Sequence, residues 1–234
     1  MARIRMVAFD LDGTLVDSVA DIAHALDQML CEVGIPAPGG DKIRAWVGDG
    51  VRRLVKRALT GTLDGEPDAV LYQHGLAAFG RAYRAHLAVE TRLYPGARDV
   101  LQLLRERDCA MACITNKAAE FTEPLLEALA LRSYFGVVLS GDSLTQRKPH
   151  PLPLLHAAQH CGVTPQQACM VGDSRNDMLA ARAASFGAVG VRYGYGQDVS
   201  VLRPDAMLDS LAELPPLLEK WAAGLAPAFA SRYV

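Results

Sequence analysis

The chain has 234 residues, of which 50% are hydrophobic and 21% are charged, and its formal net charge at pH 7 is −2. This length allows one large domain or two small ones, each with a buried core. The balanced charge excludes an overall basic field that would attract nucleic acid or an anionic membrane. No apolar stretch approaches the roughly 20 residues that a membrane span needs, and the first residues do not have the pattern of a signal peptide. Five scattered cysteines without a Cys-x-x-Cys pair fit a reduced compartment. We therefore expect a cytoplasmic protein, monomeric or homodimeric, with no nucleic-acid or membrane partner.

The first apolar run covers residues 4–9 and stops at a carboxylate. A short run rich in β-branched and large apolar residues predicts a buried parallel strand. Asp10 and Asp12 follow it, so their side chains point the same way if the extended conformation continues. Because close carboxylates repel each other, a metal ion, a lysine or a proton should lie between them. The alternative is an ordinary acidic turn, in which Gly13 supplies the bend and Thr14 a helix cap.

Residues 17–91 carry helical patterns only. Apolar spacing predicts a helix over 19–33, a short helix capped by Asp41, another from residue 51, and a longer one with Pro67 in its first turn. The longer helix carries one apolar stripe, which indicates packing between helices and not a cofactor site. The stripe consists of Tyr72, Leu76, Phe79, Tyr83 and Leu87. A helical stretch of this length is too long for one crossover connection, so we interpret 17–91 as an inserted helical cap domain.

Strand and helix patterns alternate from residue 92 onward. Strands are predicted at 109–114, 136–139, 168–171, 188–191 and 206–208, and helices at 97–107, 118–129, 152–161, 176–184 and 211–221. Pro124 should kink the second of these helices or restart it. Alternation of this kind indicates a parallel sheet with right-handed crossovers. The predicted fold class is α/β: a Rossmann-like parallel sheet core with an inserted all-helical cap domain. The core would comprise residues 1–16 and 92–222, and a C-terminal tail would cover 223–234.

Further polar groups follow the ends of other predicted strands. Thr115 and Asn116 come after the second strand of the core, and their hydroxyl and amide groups can bind phosphate-type oxygens. Lys148 brings an ammonium group in a loop between a strand and a helix. Ligands of open α/β sheets bind beyond the carboxyl ends of the strands. We therefore expect these groups to share one crevice with Asp10 and Asp12.

Asp173 ends another strand, and Asp177 follows it one helical turn later. The crevice then holds four carboxylates and one lysine. Such a set favours a hard cation held by oxygen atoms, which means Mg²⁺ rather than zinc. A carboxylate nucleophile, a divalent cation and a lysine around an anion make a phosphoryl-transfer site. These residues therefore predict a phosphoryl-transfer enzyme, whose partner would be a phosphorylated metabolite.

Four segments resemble the haloacid dehalogenase-like hydrolases, in the branch with a helical cap inserted after the first motif. The segments are FDLDGTLVDS (9–18), ITNK (114–117), RKPHP (147–151) and VGDSRND (171–177). Within that superfamily the chain is similar to the bacterial phosphoglycolate phosphatases. This closer similarity is carried by WVGDG (46–50), LYPG (93–96), GDSLTQRKPHP (141–151), GDSRNDMLAARAA (172–184) and YGYG (193–196). The resemblance implies a phosphatase that hydrolyses a small phosphate monoester, 2-phosphoglycolate above all.

The resemblance also implies a role for each matched position. Asp10 would attack phosphorus and form an aspartyl-phosphate. Asp12 would protonate the leaving alkoxide and then activate the water that hydrolyses the intermediate. Thr115 and Asn116 would hold the phosphoryl oxygens, and Lys148 would neutralise their charge and that of Asp10.

The implied metal site draws on the same loops. Mg²⁺ would be bound by the Asp10 side chain, the Asp12 backbone carbonyl and Asp173. Asp177 would support the water molecules of the metal. Asp10 and Asp12 are both present, which argues against a non-catalytic regulatory binding protein that has only kept the fold.

The cap should decide which ester is used, because the core contacts only the phosphoryl group and the metal. A carboxylate-bearing substrate needs a second anion site, and Gly48 lies just before a helix whose N-terminal amides can supply one. Arg52 would add positive charge, although a solvated surface arginine explains it equally well. Asp49 would oppose carboxylate binding unless it points away from the substrate. The alternative functions are a sugar-phosphate phosphatase or mutase and a pyrophosphatase of the same superfamily.

Overall fold

A computed structural model describes residues 4–195 and 198–225. The strands are β1 (Met6–Phe9), β2 (Val16–Asp17), β3 (Arg92–Leu93), β4 (Ala110–Ile114), β5 (Val137–Leu139), β6 (Ala168–Gly172), β7 (Gly187–Val191) and β8 (Ala206–Leu208). The helices are α1 (Val19–Glu32), α2 (Gly40–Trp46), α3 (Val51–Thr60), α4 (Ala69–Ala85), α5 (Ala97–Glu106), α6 (Ala119–Ala128), α7 (Leu152–His160), α8 (Arg175–Ala183) and α9 (Leu214–Lys220). None of the helices in these ranges combines the length and apolarity needed to cross a membrane.

The described ranges contain a parallel sheet of six strands in the order β5-β4-β1-β6-β7-β8. In β1, Phe9 pairs with Cys113 of β4 on one side and with Val171 of β6 on the other. The carboxyl end of β1 therefore lies between the carboxyl ends of β4 and β6, where the sheet order places a crevice. The prediction of an α/β fold with a parallel sheet and an inserted helical cap is confirmed.

Each face of β1 packs on a different apolar layer. Val7 and Phe9 lie in one buried cluster together with Leu101 of α5. Met6 and Ala8 lie in another, which also contains buried residues of α7 and α8. Side chains alternate between the two faces of a strand, so a strand buried on both faces needs apolar residues at every position. This explains why residues 6–9 form an unbroken apolar run.

Helices α1 to α4 surround a third buried cluster, which contains Leu26, Phe79 and Tyr83. Phe121 of α6 joins this cluster from the sheet domain side. The chain enters and leaves the helical segment through the antiparallel pair β2 and β3, where Val16 pairs with Leu93. The predicted domain boundaries remain a prediction, as does the tail. Residues 226–234 of that tail, and Gly196 of the YGYG motif, lie outside the described residues.

The expectation about Pro67 is wrong, and the expectation about Pro124 is wrong in one part. Pro67 precedes α4 and does not lie in its first turn, because Asp68 caps the helix by accepting the amides of Val70 and Leu71 at 2.9 and 3.1 Å. Pro124 lies inside α6, which continues through it, so the helix does not restart there. We attribute this to packing: the helix buries residues on both sides of Pro124, and that burial outweighs one lost backbone hydrogen bond. The expected kink remains a prediction.

Two other helix boundaries also differ from the sequence expectation. Helix α2 begins at Gly40, so Asp41 lies within the helix and is not its cap. The helix expected over 211–221 is divided into a 3₁₀ turn, Leu211–Glu213, and α9. Pro215 and Pro216 lie in the first turn of α9, where a missing N–H group costs no helical hydrogen bond.

Candidate active site

A cavity of about 50 Å³ lies beyond the carboxyl ends of β1 and β4. Its floor contains Asp10 and Asp12 from the loop after β1 and Thr115, Asn116 and Lys117 from the loop after β4. The other lining residues are Ile22, Val47, Gly48, Gly50, Val51, Leu54, Phe79, Tyr83, Ala118 and Phe121. The floor is therefore polar and charged, while most of the walls are apolar.

Lys148 forms two buried ion pairs beneath this cavity. Its Nζ lies 2.9 Å from Asp10 Oδ1 and 2.6 Å from Asp177 Oδ1. Burial alone would lower the pKa of Lys148, but the two carboxylates raise this pKa above its ordinary value. The ammonium group therefore stays charged, and it compensates part of the negative charge around Asp10.

Lys148 does not balance the whole carboxylate cluster. Asp10, Asp173 and Asp177 each direct an oxygen atom into one group, with all three atoms within 4.8 Å of one another. Burial raises the pKa of Asp10 well above its usual range, and repulsion by Asp177 and Asp173 raises it further against the opposing effect of Lys148. An added cation would relieve this repulsion, and carboxylate oxygens are the ligands that hard divalent cations prefer. The cluster therefore fits a divalent metal ion.

Two backbone loops pack closely against the Asp173 side chain. Its Oδ1 accepts the Thr14 hydroxyl at 3.2 Å and its Oδ2 accepts the Tyr195 amide at 2.8 Å. Gly13 has φ +84°, and a Cβ atom there would lie 2.3 Å from Asp173 Oδ2. A Cβ atom on Gly194 would lie 2.2 Å from Asp173 Cβ. Both glycines are therefore needed for the loops to approach this carboxylate.

Asp177 is fixed from two directions. Its Oδ2 accepts the amide and the hydroxyl of Ser174, at 3.0 and 2.6 Å, in a capping box at the start of α8. Its Oδ1 accepts from Lys148. The predicted contact of Asp177 with metal-bound water remains a prediction, and the structure adds a positioning contact to Lys148.

Asp12 has a different cation partner, which the sequence reasoning missed. Lys117 Nζ lies 3.0 Å from both carboxylate oxygens of Asp12 and 2.7 Å from Tyr83 Oη. Burial lowers the pKa of Lys117, but Asp12 and Tyr83 raise it above the ordinary value. Burial raises the pKa of Tyr83 to about 12, so its hydroxyl stays protonated. Lys117 directly follows Thr115 and Asn116, and that position is the signal that would have singled it out.

The predicted phosphoryl-binding residues lie at the cavity and are already hydrogen-bonded. Thr115 Oγ1 accepts the Lys117 amide at 3.2 Å. Asn116 Nδ2 donates to the Gly48 carbonyl at 3.1 Å and to the Lys148 carbonyl at 3.0 Å. Asn116 therefore ties the cap loop to the segment that carries Lys148. Its predicted contact with phosphoryl oxygens remains a prediction.

The Asp49 carboxylate does not line the cavity and instead contacts two other side chains. Its carboxylate forms an ion pair with Arg57 at 2.5 Å and accepts from Asn176 at 2.7 Å. Burial opposes ionisation of Asp49, but these hydrogen bonds lower its pKa below the ordinary value. Arg52 is exposed and borders a neighbouring depression together with Arg147. The structure thus brings Gly48 to the cavity wall, and it does not bring Arg52 there.

The arrangement of these side chains is typical of one class of enzyme. A buried aspartate at the end of the central strand faces a lysine, a carboxylate cluster fit for a divalent cation, and a small cavity under a helical cap. Such a site suits hydrolysis of an anionic ester by an α/β enzyme.

The family model for haloacid dehalogenase-like hydrolases matches residues 4–185, and the chain belongs to this family. The phosphoglycolate phosphatase of Nitrosococcus oceani is 47% identical over 219 residues, covering 93% of this chain and 97% of the relative. The phosphoglycolate phosphatase of Thiobacillus denitrificans is 45% identical over 219 residues, covering 93% and 96%. A crystal structure of a predicted phosphoglycolate phosphatase from Haemophilus somnus matches with a TM-score of 0.88 and 32% identity, covering 93% of this chain and 99% of that one. The resemblance carried by the sequence motifs is confirmed.

Proposed function

We propose that the chain is a Mg²⁺-dependent phosphatase that hydrolyses 2-phosphoglycolate to glycolate and phosphate. The observation that carries this proposal is the pair of carboxylates on one loop, Asp10 and Asp12, each with its own lysine. Asp10 faces Lys148 and the carboxylate cluster, while Asp12 faces Lys117 at the cavity floor. Two carboxylates in different environments can take two different roles in one reaction. The relatives named above support the choice of substrate.

In the first half of the reaction, an Asp10 carboxylate oxygen attacks phosphorus. The bond between phosphorus and the ester oxygen breaks, and Asp12 donates a proton to that oxygen, so glycolate leaves. Lys148 orients the Asp10 carboxylate and offsets the repulsion by its acidic neighbours. Thr115 and Asn116 hold the oxygens of the phosphoryl group, which now forms an aspartyl-phosphate.

In the second half, water attacks the phosphorus of the aspartyl-phosphate. Asp12 takes a proton from this water, the bond between phosphorus and Asp10 breaks, and inorganic phosphate leaves. The carboxylate of Asp10 and the protonated form of Asp12 are then restored. The apolar cavity walls limit the access of bulk water during the first half.

The proposed metal site uses the Asp10 side chain, the Asp12 backbone carbonyl and Asp173, with Asp177 in support. Mg²⁺ bound there supplies positive charge that stabilises the transferring phosphoryl group. Burial and then repulsion by Asp177 and Asp173 raise the pKa of Asp10, and the three carboxylate oxygens lie within 4.8 Å of one another, which supports a cation at this place.

The size of the cavity supports a small leaving group. A volume of about 50 Å³ has room for roughly four water-sized groups, at about 10–15 Å³ for each. So narrow a space favours a compact leaving group, such as a two-carbon acid, over a hexose. The cavity wall at Gly48 lies next to the N-terminus of α3, and helix N-terminal amides favour a carboxylate. Arg52 lies at the neighbouring depression, so its predicted contact with the substrate carboxylate would require the side chain to turn towards the cavity.

A phosphatase assay with and without EDTA tests the proposal. Phosphoglycolate, small sugar phosphates and pyrophosphate are compared at equal concentration, and ³¹P product analysis separates hydrolysis from transfer to a second hydroxyl. We expect the highest kcat/KM with phosphoglycolate and no turnover in EDTA. The Asp10→Asn variant should lose essentially all turnover while it still binds ligand. A higher kcat/KM for a sugar phosphate, or substantial activity of Asp10→Asn, would overturn the substrate or the nucleophile respectively.

A further inference from the structure

Lys117 is a buried cation without a role in the reaction described above. It is 8% exposed and lines the cavity floor directly beside Asp12. Keeping an ammonium group in such a place costs free energy unless it is paired and hydrogen-bonded. Its partners are both oxygens of Asp12 and the hydroxyl of Tyr83. The lysine is therefore built into the site and is not a solvated surface charge.

The contact with Asp12 fixes the orientation of a carboxylate that must reach the ester oxygen. Lys117 Nζ is equidistant from the two oxygens, at 3.0 Å, and the Ser18 hydroxyl donates to Oδ1. Charge-assisted hydrogen bonds of this kind restrict the rotation of the carboxylate plane. A proton transfer is sensitive to such geometry, because donor and acceptor must lie within hydrogen-bond reach.

The third partner of Lys117 comes from the cap. Tyr83 belongs to α4 and is 2% exposed. Its ring packs 5.0 Å from the ring of Phe121 on α6 and lies 4.8 Å from Lys117 Nζ. Phe121 and Lys117 belong to the sheet domain side of the cavity, so Tyr83 reaches them only while α4 is docked there.

We propose that Lys117 is a positioning residue that aims the Asp12 carboxyl group at the ester oxygen, and that Tyr83 makes this positioning depend on the docked cap. The inference rests on the proposed function, because it takes Asp12 as the general acid. With α4 withdrawn, Lys117 loses a hydrogen bond and one wall of its pocket, and Asp12 loses a fixed donor. The acid is thus set in place by the same closure that surrounds the substrate.

The leaving group distinguishes positioning of the acid from a general structural role. An alkoxide leaving group, as in phosphoglycolate, needs a proton when the bond to phosphorus breaks. Acetate leaves from acetyl phosphate without one. Both are two-carbon compounds, so both fit the same cavity. Both substrates then pass through the same aspartyl-phosphate, whose hydrolysis also uses Asp12, so kcat is affected for both. kcat/KM reports only the steps up to release of the leaving group, so loss of a positioned acid should lower kcat/KM for phosphoglycolate selectively. Damage to the fold or to Asp10 should lower kcat/KM for both substrates.

The experiment measures kcat/KM for phosphoglycolate and acetyl phosphate at saturating Mg²⁺ in four variants. We expect Lys117→Met to lower kcat/KM for phosphoglycolate about 100-fold and to change that for acetyl phosphate less than about threefold. Tyr83→Phe keeps the ring packing and should show a smaller loss with the same selectivity. Lys56→Met is the matched control, since Lys56 also lies over a tyrosine ring of α4, at 5.4 Å from Tyr72. It should leave both substrates unchanged.

Asp12→Asn separates the two proposals. If Asp12→Asn impairs phosphoglycolate selectively but Lys117→Met impairs both substrates equally or neither, the positioning role is overturned and the proposed function stands. If Asp12→Asn itself shows no selectivity, Asp12 is not the general acid and the proposed mechanism fails. If Lys117→Met does not fold, Tyr83→Phe decides: an equal loss with both substrates, or no loss, overturns the inference.

Discussion

Replacing Lys148 with methionine should both lower the stability of the protein and abolish most of its activity. Methionine keeps most of the side-chain volume but removes the ammonium group that lies 2.9 Å from Asp10 and 2.6 Å from Asp177. The two carboxylates are 6% and 0% exposed and would remain buried without this cation. Removing one partner of a buried ion pair costs about 3–5 kcal/mol. In a chain of this size, such a loss lowers the Tm by roughly 6–20 °C.

Thermal unfolding followed by circular dichroism, first in EDTA and then in Mg²⁺, measures this effect. Lys56→Met is the control, because Lys56 pairs with Glu66 at the surface, where ion pairs contribute about 0–1 kcal/mol. We expect Mg²⁺ to raise the Tm of Lys148→Met more than that of the wild type, since a cation in the cluster replaces part of the lost charge. Activity should fall at least about 100-fold even in saturating Mg²⁺. A Tm equal to that of Lys56→Met would refute the reasoning.

Three further outcomes follow from the same contacts. Asp21→Asn should destabilise the protein by about 1–3 kcal/mol at pH 7, because the fully buried Asp21 accepts the amide and hydroxyl of Thr91. Burial raises the pKa of Asp21, but these hydrogen bonds outweigh burial and hold the pKa below its ordinary value. The stabilisation is therefore present above the ordinary pKa and is lost as the pH falls through the lowered pKa. Urea unfolding between pH 3 and 7 should therefore show that the difference in free energy of unfolding between the wild type and Asp21→Asn shrinks as the pH falls. A difference that stays constant with pH would contradict this. Gly13→Ala should abolish activity and weaken Mg²⁺ binding, because its Cβ would meet Asp173. Gly34→Ala is the control: Gly34 has φ +72°, but no atom lies within 4 Å of the added Cβ. This variant should keep full activity and lose only about 1 kcal/mol of stability. EDTA should remove all turnover, added Mg²⁺ should restore it, and activity that persists in EDTA would argue against the metal site.

The sequence predicted that several polar groups of the site lie together, because the sheet topology alone places them at one edge. Asp10, Thr115 and Asp173 each follow a strand of one parallel sheet, and the carboxyl ends of such strands share an edge. Short unbroken apolar runs identify those strands without knowledge of contacts. The prediction therefore needed only the order of strands and helices, which the structure confirms.

The contacts between the cap and the core could not be predicted in the same way. Helical periodicity marked Tyr83 as part of an apolar stripe, and three-dimensional packing indeed buries it. Periodicity states which face of a helix is buried, but not which surface covers it. Lys117 lies 34 residues further along the chain, and its contact with Tyr83 depends on how α4 docks. A side chain assigned to simple packing thus also touches the polar floor.

Asp49 shows why a charge must be considered together with its partners. The sequence predicts that it opposes carboxylate binding at the Gly48 loop unless its side chain points away from the substrate. In the structure its charge is balanced by Arg57, a residue of α3 that the sequence reasoning did not single out. Because this pair is internally neutral, the backbone amides at the start of α3 can act on an anion without a net negative charge beside them. The contact of Asp49 with Asn176 gives the same carboxylate a second effect, since it connects the cavity-lining loop at Gly48 to the helix that begins beside Asp173.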